Sequence, residues 1–117
     1  MILSDIEAKL QELDPKVFYG VVDKSELETV WDCIVFGRTN IKFSTQKTAS
    51  SDYFEVLIIR ENYIPEGFDT KVIQALAELD GVRLAGVDGQ FDYVQKPNTN
   101  TVVEMLTLTF VRSRKNA

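Results

Sequence analysis

The chain has 117 residues, 44% of them hydrophobic, with 18 acids, 13 bases and no histidine. That length and apolar content suffice for one domain with a real core, and they exclude a disordered chain or a disulfide scaffold. The net charge of −5 argues against a general nucleic-acid binder.

The missing histidine removes Ser-His-Asp and Cys-His catalysis, and with them the commonest transition-metal ligand. Cys33 is the single cysteine, so it forms no internal disulfide and cannot build a zinc site. It lies in the apolar run Trp31 to Phe36 and reads as a buried thiol. Ser4, Asp5 and Glu7 interrupt the start, which therefore shows no signal pattern. No apolar run approaches the roughly 20 residues that cross a bilayer. A reducing cytoplasm is the expected compartment.

Residues 1–32 hold eight acids and three bases, a balance of −5, whereas residues 33–117 hold ten of each. The end is locally basic, with Arg112, Arg114 and Lys115 close together. Solubility accounts for such a distribution, and so does head-to-tail packing of identical subunits.

In chain order, Ser4-Asp5-Ile6-Glu7 reads as a capping box that opens a helix. Ile6, Leu10 and Leu13 form its apolar stripe, and Asp14-Pro15 ends it. Val17 to Val22 predicts a first strand, with Gly20 marking a bulge or a close backbone approach. A polar turn follows at Asp23 to Glu26, where Ser25 and Glu28 have the spacing to cap one helical turn. Val30 to Phe36 predicts a second strand, with Trp31, Cys33 and Val35 on one side and Ile34 and Phe36 on the other. Gly37 to Asn40 reads as a turn, after which Ile41 and Phe43 extend or return the strand.

Residues 44–52 lack any large apolar side chain and read as a flexible loop. Tyr53 to Arg60 is the strongest strand signal. Its apolar residues on both faces from Val56 to Ile59 suit a central strand. A second helix is predicted over Asp69 to Leu79, with Asp69 as N-cap, Phe68 stapled onto Ile73, and Gly81 in a left-handed closing position. Val82, Leu84 and Val87 make a short extended piece before Asp88-Gly89.

The last third predicts a long hairpin. Gln90 to Gln95 and Thr101 to Val111 are its arms, and Lys96-Pro97-Asn98-Thr99-Asn100 is its loop. Leu106, Leu108 and Phe110 mark one apolar face of the second arm, and Thr107 and Thr109 the other. The 112–117 end reads as a basic, frayed terminus. The element order α-β-β-β-α-β-β, without βαβ alternation, predicts a single α+β domain with a mostly antiparallel sheet and helices on one face.

Catalytic equipment is not visible. Gly81, Gly86 and Gly89 lack the Gly-Lys-Ser/Thr of a phosphate loop. Asp88, Asp92 and Glu104 would have to converge across the hairpin to hold a hard cation, and solvated charges explain them better. Tyr19, Phe91 and Tyr93 resemble a base-stacking platform only superficially, because no bases are interleaved with them.

The run Phe91-Asp92-Tyr93-Val94, then Asn98 to Met105, then Leu106-Thr107-Leu108-Thr109-Phe110, resembles the C-terminal end of small tail-assembly proteins of tailed bacteriophages and prophages. The layout of most of the chain is similar to their tail terminator (tail completion) proteins, with minor tail and head–tail joining proteins close by. The resemblance implies a non-enzymatic virion-assembly subunit without cofactor. Such subunits form a homo-oligomeric ring, commonly a hexamer, that caps the tail tube and offers a head-joining surface. The implied partners are further copies, the tail tube protein and the head–tail connector, in the bacterial host cytoplasm and the virion tail. Lys47, Lys96, Asn98, Asn100, Arg112, Arg114 and Lys115 are the candidate interface residues. The alternative is a small bacterial cytoplasmic α+β module that binds a peptide or small molecule.

Overall fold

The computed structural model describes residues 2–20, 32–43, 49–86 and 89–115. Helix α1 spans Ile2–Gln11 and α2 spans Phe68–Ala77. The strands are β1 (Val17–Tyr19), β2 (Cys33–Phe43), β3 (Ala49–Glu61), β4 (Val82–Leu84), β5 (Gln90–Gln95) and β6 (Val102–Lys115). They form one sheet in the order β1-β2-β3-β6-β4, with β5 also on β6. The β1–β2 pair is parallel and every other pair antiparallel, so the chain is an α+β domain.

One face of the sheet meets both helices. Ile34 and Phe36, then Phe54, Val56 and Ile58, then Leu106, Leu108 and Phe110 stand in three parallel rows. Ile6 and Leu10 of α1 and Val72 and Leu76 of α2 close over them at full burial. The alternation in β6 is the one predicted, with Thr107 and Thr109 half-buried on the other face. β3 lies between β2 and β6, and its Leu57 and Ile59 are half-buried on that second face.

Several predicted boundaries move. α1 begins before Ser4, which lies inside the helix, so no capping box opens it. Gly67, in the left-handed region at φ 88°, occupies the N-cap of α2, and Asp69 stands in the first turn. The supposed turn Gly37 to Asn40 is continuous strand, broken only by a register shift between Arg38 and Asn40 that leaves Thr39 as a bulge. Glycine and polar residues are tolerated there because β3 supplies the ladder.

The same reason corrects the loop and the terminus. Residues 49–52 are strand, held between Ile41–Phe43 and Arg112–Lys115. The segment 112–115 is paired β-structure rather than a frayed end. Backbone pairing, on both sides for Ser50 to Asp52 and for Arg112 and on one side for Ser113 to Lys115, substitutes for the apolar side chains that these segments lack. The predicted features at Val21–Val22, at 23–31 with Trp31, at 44–48, and at Val87 and Asp88 lie outside the described residues.

Gly20 does mark a close approach: its N–H bonds the carbonyl of Phe36 at 2.8 Å, and a Cβ on Gly37 would sit 3.8 Å from the Gly20 Cα. Gly81 has the predicted left-handed backbone, at φ 78°. A Cβ there would also lie 3.2 Å from the carbonyl oxygen of Ser113. Gly81→Ala is therefore expected to lower stability by about 1–2 kcal/mol, read as a fall in urea midpoint at unchanged slope.

Candidate functional site

β5 is the most exposed strand of the sheet. All six residues of β5 are exposed, so it contributes neither face to the core. Phe91, Tyr93, Val94 and Val102 expose 52, 60, 39 and 44% of their surface, a concentration of apolar area that the fold does not use. The loop is built tightly. The Thr99 N–H bonds the Lys96 carbonyl, with Pro97 second and a left-handed Asn98 third, the sequence chemistry of a type II turn. Gln95 and the Thr99 hydroxyl add bonds to loop carbonyls.

Two polar ties hold the hairpin to the body. Lys96 Nζ is 2.7 Å from Glu61 Oε1, at the end of β3. The Glu104 carboxylate accepts the Tyr93 hydroxyl at 2.8 Å and the Ile64 N–H at 2.8 Å. The bond to Glu104 pushes the Tyr93 phenol above its ordinary value of 10. Glu104→Gln should bring that titration back down, followed by ultraviolet absorbance against a Tyr93→Phe control. A phenol raised in the folded state favours its neutral form. Its stabilising effect is present below the unfolded value of about 10 and lost as pH rises through the folded value. An unchanged titration would show that the pair does not form in solution.

A second polar centre lies where α1 runs into β1. The carboxylate of Asp14 meets Arg60 of β3 at 2.7 Å, with both side chains largely buried. Arg60 also donates to the carbonyls of Ile59 and Cys33 and stacks 4.7 Å from the Phe68 ring centre. Asp14 additionally accepts the Lys16 N–H at 2.8 Å. Asp32 accepts the Glu61 N–H beside it. With every strong group partnered, this centre reads as a clamp that fixes α1 and the β1 entry to the sheet. Nearby Cys33 is fully buried, and desolvation raises its thiol to about 11. It is the inert buried cysteine that its apolar run predicts.

The candidate interface residues fall at two ends. Lys96, Asn98 and Asn100 belong to the hairpin loop, just before β6 begins. Arg112, Arg114 and Lys115 lie at the far end of β6, roughly 33–43 Å away at the rise of a strand. Arg112 is half-buried, its Nε enclosed without a hydrogen-bond partner, opposite Asp52 and Val82 in register. Arg114 and Lys115 pair by backbone with Ser50 and Ala49. Lys47 lies outside the described residues.

Other groupings do not assemble. Asp92 stands opposite Met105 and so faces away from Glu104, and Asp88 lies outside the described residues. Among the described residues no cluster of three or more metal-ligating side chains occurs. Tyr19 packs on Phe36 at the β1 edge, across the sheet from Phe91 and Tyr93. Sequence reasoning missed the Asp14–Arg60 pair. An isolated acid before proline and an arginine ending an apolar strand were its only signals.

The fold class is thus a single α+β domain with an open, mostly antiparallel sheet. The chain matches no protein-family model and has no significant match among curated proteins. None of the described helices is long and apolar enough to cross a membrane.

Proposed function

We propose that this chain is a structural, non-enzymatic subunit of a phage tail: a terminator that assembles as a ring, caps the tail tube and presents a head-joining surface. The observation that carries the reading is the β5–β6 hairpin, apolar on an exposed strand and tied to the body through Glu61 and Glu104. Exposed aromatic residues presented on a strand, outside any enclosed pocket, suit a protein contact better than a small-molecule site. The hairpin is also the stretch whose sequence resembles tail-assembly proteins.

The test uses the purified chain and a phage tail tube protein polymerised into tubes. Negative-stain microscopy should show rings at tube ends, and Phe91→Ala/Tyr93→Ala should reduce capped tubes without unfolding the chain. A protein that stays monomeric with and without tubes, and leaves tube length unchanged, would sink the proposal.

A further inference from the structure

Two stretches of strand edge are unmatched within the sheet. On one side β5 pairs with β6 only, leaving the outer edge of Gln90–Gln95 without a neighbour among the described residues. On the other, β1 covers Ile34 to Phe36 of β2 and Gly20 bonds the Phe36 carbonyl, but no described strand lies beside Arg38 to Phe43. All six residues of each stretch are exposed. Such edges template pairing with another chain.

We infer that these two edges join to each other between copies of this chain, β5 of one copy adding to the outer half of β2 in the next. This rests on the ring reading above and specifies its contact.

Direction agrees first. β2 is antiparallel to β3, β3 to β6 and β6 to β5, so β5 runs opposite to β2. Copies that follow one another with the same face up therefore meet as an antiparallel pair.

Facing selects the register. Past the bulge at Thr39, Ile41 and Phe43 stand opposite Asp52 and Ser50, in the helix-side row of β3. Lys42 stands opposite Ser51 on the other face, 5.2 Å above the Tyr53 ring. On β5, Phe91 and Tyr93 oppose Leu106 and Glu104 on the helix side, and Asp92 opposes Met105 on the other. Directly opposed residues must share a face. The register that opposes Asp92 to Lys42 obeys this rule. It also places Phe91 against Phe43, Tyr93 against Ile41 and Val94 against Asn40.

The gains are those of ordinary cross-strand pairs: one ion pair, one aromatic pair and one aromatic–β-branched pair. These apolar side chains are among the most exposed of the domain, with Phe43 at 68% and Ile41 at 43%. Arg38 and Lys42 make the β2 stretch basic, whereas Asp92 is the only charge of β5. Two different patches that complement each other form a heterologous contact, which generates a ring or an open helix rather than a two-fold dimer.

Charge reversal tests the register. Asp92→Lys and Lys42→Asp, checked for folding by circular dichroism, should each raise the assembly midpoint on the order of tenfold in sedimentation. Mixing the two variants should restore assembly, because every junction then opposes unlike charges. Lys42→Cys/Asp92→Cys should give a ladder of disulfide-linked chains under mild oxidation. Positions 42 and 92 lie on opposite edges of one copy, so the bond forms only between copies.

A wild-type chain that is monomeric at all concentrations, or assembly indifferent to both reversals with no covalent ladder, would overturn the pairing. Rings joined at this edge that fail to cap tubes would instead overturn the terminator reading alone. Tube capping undiminished in both reversals would retain that reading and remove the pairing.

Discussion

Replacing Asp14 with asparagine is expected to cost about 3 kcal/mol of folding stability. The change leaves the Arg60 guanidinium in place, largely buried and facing a neutral amide in the position of its partner. Its bonds to the Ile59 and Cys33 carbonyls and its contact with Phe68 remain, which keeps the cost at the lower end of the range for broken buried pairs. Asparagine can still accept the Lys16 N–H, so the turn at Pro15 should survive. Urea denaturation at neutral pH would show a lower midpoint with unchanged slope. A loss below about 1 kcal/mol would mean that water reaches the pair in solution, as at an exposed ion pair. The double variant Asp14→Leu/Arg60→Met should recover most of the loss, because it removes both charges together.

Phe110→Ala is expected to be comparable or larger, at about 4 kcal/mol. Phe110 is 1% exposed, stacked 5.4 Å from Phe54, and sits in the row that both helices cover. Truncation would leave a cavity between the sheet and the helices that cover it, and close-packed neighbours collapse into such a space only in part. Phe91→Ala, on the neighbouring strand, is the control. That ring is 52% exposed, and its loss should leave monomer stability within about 0.5 kcal/mol. If both substitutions cost alike, the hairpin would be packing against the core in a way that the structure does not show.

The contrast between these rings shows which parts of the chain were legible. Leu106, Leu108 and Phe110 alternate strictly, and their inward placement followed from period alone. The same held for Ile6 and Leu10 at helical spacing. Ser50 to Asp52 and Arg112 to Ser113 were misread because their support is the ladder itself, invisible without the partner strands. The Asp14–Arg60 clamp was hidden for a related reason. Two charged residues separated by 46 positions carry no local sign that they will be buried together. The hairpin was read correctly in position; that all six residues of β5 are exposed is decided by the sheet, which provides no second layer there.

The division of one edge of β6 between β4 and β5 has a dynamic consequence. β4 is anchored by α2, and its Val82 belongs to the buried cluster. β5 begins only after Gly89, opposite Thr107, and no residue of it reaches the core. It can therefore peel away by breaking its bonds to β6 while β2, β3, β4 and β6 stay intact, so its opening free energy lies well below that of global unfolding. Amide protons of β5 should exchange with deuterium through this local event, with little response to mild denaturant. Those of β3, bonded on both sides, should exchange only when the whole domain unfolds. The strand with the most unused apolar surface is thus also the one whose protons should be first to label.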